Sequence, residues 1–389
     1  MDYKKSGLLL GGLLLFLIMV SSNVPATLYE IYAIKFKFNT FVLTGIFATY
    51  VIFLIPSLLL SGPYADNHGR KKIIYIGIFF SILGLLSFLF AVNYYYLFIA
   101  RAFQGIATGL ISGPATAMLM DLDNKKIRAP LIASVSTSFG TATGPFFGGI
   151  MAQYIIYPLE LVYLISLILI IVISIFMLKI PETIQYKKNK TKFERPKIPK
   201  EISKVFWFSA LSSFTAWSVT AFFMSLAPSY VTTIFKINNY GMAGGIVFLM
   251  LASSSLMQLL FKKYISEKSI IYGLIILIIS IYGIIISVPY NSLLILTLST
   301  ILSGIGMGIS FLGSMKMITI NTPINYKASV FSSFYIITYI GVGIPIISIG
   351  LISVLLDLYN SIIIYGIFIF ILIIIIILIK YAYKIKSNI

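Results

Sequence analysis

Long uninterrupted apolar runs constrain this chain more than any single residue does. About 20 apolar residues cross a bilayer as a helix, and twelve runs of that order can be marked, near residues 7–33, 40–62, 73–92, 94–120, 130–156, 158–179, 204–234, 240–261, 269–289, 291–316, 327–355 and 358–381. The runs are continuous in Ile, Leu and Phe and lack the alternation of a barrel strand, so they predict helices. With 59% hydrophobic and only 10% charged residues, too little polar surface remains to cover a soluble globule. The expectation is an all-α membrane protein with twelve transmembrane helices. Lys4 and Lys5 ahead of the first run have the look of a signal peptide, but the run is too long and has no small-residue cleavage site, so it is read as retained.

Charge sets the orientation. Of the 29 Lys and Arg, all but Lys35, Lys37, Lys236 and Arg101 fall in the tails and in the breaks on one side of the runs. The positive-inside rule puts that side, and both termini, in the cytoplasm of a cell-membrane protein. The densest basic stretch also contains Pro181, Pro196 and Pro199 and divides the chain into a six-helix bundle at 1–180, a linker at 181–203 and a second bundle at 204–389. The net charge of +18 therefore signals topology and lipid contact, with no groove-sized basic patch for nucleic acid. Absent Cys and a single His argue against disulfides, thiolate chemistry and a protein-built metal site. No cofactor is expected, and no nucleophile, paired-carboxylate or nucleotide-loop pattern points to an enzyme or an ATP-driven pump.

Three segments stand out. The break GPYADNHGRKK, from Gly62 to Lys72, reads as a tight loop with Asp66 placed to cap the next helix and Arg70 and Lys71 near enough to pair with it or with lipid phosphate. The fourth run contains LFIARAFQGIATG, in which Arg101, Gly105 and Gly109 recur at four-residue steps and share a face. A cation inside a membrane faces a partner or a watery cavity, or else snorkels to the surface. The fifth run contains GTATGPFFGG, a stripe of Gly140, Gly144 and Gly148 with Gly149 beside it and Pro145 to bend the helix. Gly105 and Gly109 reappear as Gly304 and Gly308, and Pro145 as Pro345, each about 200 residues on, which suggests a duplication giving two pseudo-symmetric halves.

Together these segments resemble the signatures of the major facilitator superfamily. The loop matches at Gly62, Asp66, Gly69, Arg70 and Lys71, and the fourth-helix pattern at Arg101, Gln104, Gly105 and Gly109. The element associated with the antiporter branch matches at Gly140, Gly144, Pro145, Gly148 and Gly149. The resemblance implies the major facilitator fold, two six-helix halves with the substrate between them. It also implies an inner latch, for which Asp66, Arg70, Asp121 and Lys327 are the candidates, although Asn67 stands where the family has a second base.

Energy coupling needs a titratable group within the membrane. Glu30 is the one acid away from loops, tails and span ends, and a Glu30–Arg101 pair is one reading, a solvated Glu30 the other. Candidate cavity residues are Asn23, Tyr29, Tyr32, Gln104, Trp217, Phe222, Phe223, Met224 and Phe311, a lining suited to apolar or amphipathic compounds. The sequence thus predicts a secondary transporter working by alternating access, monomeric, exporting small apolar molecules in exchange for protons. The alternatives are a facilitator or proton symporter importing a nutrient, and a non-transporting membrane scaffold or sensor.

Overall fold

Every regular element is helical in the computed structural model, which describes residues 3–123, 128–183, 198–237, 239–261, 267–323 and 326–383. The order is α1 (Tyr3–Asn23), α2 (Pro25–Phe36), α3 (Thr40–His68), α4 (Arg70–Leu89), α5 (Tyr94–Leu122), α6 (Arg128–Tyr154) and α7 (Pro158–Met177). There follow α8 (Ser203–Ser225), the short turn α9 (Ala227–Ser229), α10 (Tyr240–Phe261), α11 (Glu267–Ser287), α12 (Leu293–Asn321), α13 (Lys327–Leu355) and α14 (Leu358–Ala382). Most of the 181–203 linker lies outside the described residues, and so does the side chain of Lys327.

Counting α1 with α2 and α8 with α9 recovers the twelve predicted spans. Both joins occur where proline lacks the N–H that would continue the helix ladder: Pro25 opens α2, and Pro228 sits in α9, which runs into a π-helical turn at Tyr230–Ile234. Among the described residues, ten helical stretches are long and apolar enough to cross a membrane. The other two, α5 and α6, have 29 and 27 residues and are long enough, but Gly, Ala, Ser and Thr dilute their hydropathy. These are the helices that carry the Arg-Gln-Gly and glycine–proline segments, where small residues serve contact between helices rather than contact with lipid.

One expectation needs correcting. The tight loop expected over Gly62–Lys72 is shorter than that stretch: α3 stays helical through Pro63 to His68, and Gly69 alone separates it from α4. Gly69 has φ 97°, a conformation that strains other residues, so the reversal between the helices depends on glycine here.

The chain divides into two compact units. The first comprises Met1–Phe38, Gly45–Phe193 and Tyr240–Gly244, the second Asn39–Thr44, Glu194–Asn239 and Gly245–Ile389. Inside the first, α5 presses on α3 so closely that a Cβ on Gly105 would strike the Tyr50 carbonyl and one on Gly109 would lie 2.9 Å from the Leu54 carbonyl. Inside the second, Gly304 meets the Met250 carbonyl of α10, and a Cβ on Gly308 would lie 2.5 Å from that of Ser254. Donor and receiver are both displaced by about 200 residues, so the repeat seen in sequence is a repeat of helix contacts. It extends further: Gly140 packs on the Phe16 carbonyl of α1 and Gly341 on the Phe214 carbonyl of α8, each Cβ being 2.6 Å away. The second unit also has a buried core of Phe206, Ala210, Ile318, Val330 and Phe334.

Candidate functional site

At the end of the first unit that carries the α3–α4 turn, charged groups tie α4 to the end of α5 and to the segment that follows α7. The Arg70 guanidinium pairs with the Asp121 carboxylate at the end of α5. The backbone amides of Arg70 and Lys71 donate to the two carboxylate oxygens of Glu182 at 3.2 and 3.0 Å, and Lys71 Nζ donates to the carbonyls of Leu178 and Ile180 at 2.8 and 2.7 Å. Glu182 therefore caps α4, where a carboxylate satisfies orphan amides and complements the helix dipole. The sequence reading gave that job to Asp66. Asp66 instead lies in the last turns of α3, exposed, and neither Arg70 nor Lys71 bonds to it. Asp66, being three residues before the helix gap, is on the wrong helix to cap α4. The signal for Glu182 was its place in Pro-Glu-Thr just beyond an apolar run. Asp123 was missed in the same way: its Oδ2 accepts from the Arg128 and Ala129 amides at 2.7 and 3.0 Å and caps α6. Gly62 is exposed, with open space where a Cβ would be.

Within the span region of the same unit, Arg101 and Gln104 are 2% and 1% exposed. Arg101 Nη1 donates to the Ser22 carbonyl at 2.7 Å and to Gln104 Oε1 at 2.8 Å, while Gln104 Nε2 donates to the Ser21 carbonyl at 2.9 Å. The guanidinium carbon stands 4.3 Å from the centroid of the Tyr50 ring and 5.7 Å from that of Phe47, a favourable cation–π arrangement in a buried site. Burial rules out the snorkelling reading of Arg101. Nor is it paired with Glu30, which is half-buried on α2. Tyr29 and Tyr32 are buried nearby on α2, the latter packed on Phe88, which stacks on Tyr163. The Tyr29 hydroxyl and Arg101 Nε have no hydrogen-bond partner among the described residues. Asn23 turns its amide to the Met19 carbonyl of its own helix.

The α6 stripe faces α1 in register. Cβ atoms on Gly140, Gly144 and Gly148 would lie 2.6, 2.7 and 2.6 Å from the carbonyls of Phe16, Val20 and Val24, so the four-residue steps match on both helices. Gly149 points elsewhere, to Tyr240 and Gly244 within the same unit. Thr27 Oγ1 donates to the Pro145 carbonyl at 3.0 Å. Below this contact, Leu8, Leu9, Leu13, Phe16, Val135 and Phe139 line an apolar groove of about 340 Å³.

In the second unit, Phe222 packs between Tyr230 and Tyr365, and Phe222, Phe223 and Met224 are buried. Trp217 meets Phe311 edge-on at 5.5 Å and is half-buried, with Tyr339 6.3 Å away. Trp217 and Phe311 thus present partly open aromatic surface, and the Phe222–Met224 segment is core.

A family model described as Major Facilitator Superfamily matches residues 11–346. The chain is 24% identical over 358 residues to an uncharacterized MFS-type transporter of Methanocaldococcus jannaschii, covering 89% of this chain and 90% of that one. It is 32% identical over 160 residues to an uncharacterized transporter of Buchnera aphidicola, a match that spans 39% of either protein. A shorter stretch, 99 residues at 35% identity and 21% of the relative's length, matches a gallate transporter of Pseudomonas putida. Among solved structures, a bacterial homolog of the human lysosomal transporter Spinster in an inward-facing, occupied conformation superposes with a TM-score of 0.78 at 16% identity, covering 98% and 97% of the two chains. The nucleoside transporter NupG gives 0.72 at 15% identity, covering 96% and 99%.

Proposed function

The chain belongs to the major facilitator superfamily and is a multi-pass membrane transporter of small molecules, and from that premise we propose that it exports small apolar or amphipathic organic compounds in exchange for protons, by alternating access. The observation that carries this reading is the α6 element: of the residues associated with the antiporter branch, Gly140, Gly144 and Gly148 form one stripe seated against the backbone of the first membrane helix. The apolar groove between the same two helices supports an apolar cargo, being of a size that holds small organic molecules. Glu30 is the proposed proton carrier, the one carboxylate among the described residues that stands on a helix away from the span ends. Asp66, Arg70, Asp121 and Lys327 are the proposed inner latch, with the protein in the cell membrane and both termini cytoplasmic. The relatives named for gallate and for nucleosides support the small-organic class and do not choose a direction.

Proteoliposomes with an imposed pH gradient test the proposal, using ethidium as the probe. Expected is gradient-driven ethidium movement that a protonophore abolishes and that Glu30→Gln uncouples. Ethidium that equilibrates equally well without a gradient makes the protein a facilitator, and movement of probe together with protons makes it a symporter.

A further inference from the structure

We infer that Arg101 and Gln104 are positioning residues that hold a break in the first membrane helix by standing in for a backbone donor that Pro25 removes. In an unbroken helix the Ser21 carbonyl would accept from the amide of residue 25, and Pro25 has none. An unsatisfied carbonyl at membrane depth is costly, because no water is there to take its place. Gln104 Nε2 supplies the missing donor at 2.9 Å, and Arg101 covers the adjacent Ser22 carbonyl at 2.7 Å while bracing the Gln104 amide oxygen at 2.8 Å. The charge of Arg101 is thereby spent on two carbonyl oxygens and the Tyr50 ring.

The same break is gripped from a second helix. Cβ atoms on Gly144 and Gly148 would lie 2.8 Å from the Asn23 Cβ and 2.6 Å from the Val24 carbonyl, and Thr27, just beyond the break, donates to the Pro145 carbonyl. The Arg-Gln-Gly segment of α5 and the glycine–proline segment of α6, far apart in sequence, thus close on one weak point. The second unit breaks differently. Its Pro228 removes the donor for the Met224 carbonyl, but the positions that correspond to Arg101 and Gln104 are Thr300 and Ser303, whose hydroxyls donate to the Leu296 carbonyl and to Ser280. There the chain continues into the Tyr230–Ile234 π turn. The side-chain patch therefore belongs to the first unit and does not depend on what is carried or in which direction.

A double-mutant cycle on the purified full-length protein in detergent tests this. Gln104→Leu should lower the thermal midpoint by about 2 °C in the parent. On a Pro25→Ala background the loss should be less than half as large, because the restored amide takes over the Ser21 carbonyl. Equal losses on both backgrounds overturn the inference. If Pro25→Ala fails to fold, Pro25→Ser restores the same donor. Where ethidium transport is measurable, Gln104→Leu should lower the maximal rate at unchanged half-saturation, with recovery on Pro25→Ala. A raised half-saturation at unchanged maximal rate makes Gln104 a substrate contact and sinks the positioning role.

Discussion

Two acids, Asp66 and Glu182, illustrate what a residue can do that its motif does not announce. Asp66 is the acid of the loop signature, yet it is exposed and unbonded to the neighbouring bases, whereas Glu182 takes both leading amides of α4. Removing a helix cap costs about 1 kcal/mol, so Glu182→Ala should lower the thermal midpoint by about 3 °C. Asp66→Asn should leave the midpoint unchanged and slow transport, if Asp66 acts in a latch. Thermal unfolding of the two variants side by side decides, and a larger loss for Asp66→Asn would return the cap to it. The motif was legible because its spacing is local. The cap was not, because Glu182 is 112 positions from the amide it serves, and no sequence period connects them. Arg101 shows the same limit: its presence inside a span could be read directly, but the partner it takes on the first membrane helix is the Ser22 backbone carbonyl, a group that every residue possesses and none advertises.

At the scale of helices, glycine spacing proved the most transparent part of the sequence. Gly140, Gly144 and Gly148 predicted close approach, and the structure supplies the missing half of the statement, the carbonyls of Phe16 and Val20 on α1 and of Val24 at its end, at the same interval. Backbone cannot move aside as a side chain can, so overpacking there costs about 1–3 kcal/mol. Gly144→Val should lower the midpoint clearly, while Gly245→Ala, with open space around it, should leave it unchanged or raise it slightly through better helix propensity. Midpoints of the two variants measured in one detergent check the contrast, and equal effects would remove the packing argument. Helix ends were less legible: α3 runs on to His68 although Gly62 and Pro63 read as a turn, since propensity is a weak prior on where a helix stops.

For the whole molecule, twelve spans and the asymmetric charge pattern predict an orientation that chemistry can test. The chain has no Cys, so a single introduced one is an unambiguous reporter. In intact cells, Lys37→Cys should react with a membrane-impermeant maleimide and Lys72→Cys should not, and the reverse pattern would invert the topology. The fold was legible at this scale because twelve runs leave few alternatives, and the repeat because its offset is constant. Which side chains line the path was not, because aromatic residues serve core and cavity alike: Phe222 is enclosed by Tyr230 and Tyr365, whereas Trp217 and Phe311 remain partly open.

The repeated glycine contacts also set what each unit can tolerate. Where a glycine abuts backbone a larger side chain has no room, and both units carry such seams. Positions beside the seams are under no such limit and differ, with Arg101 and Gln104 in the first unit and Thr300 and Ser303 in the second. The two units thus share one set of close helix contacts, and the first adds a buried charge to it.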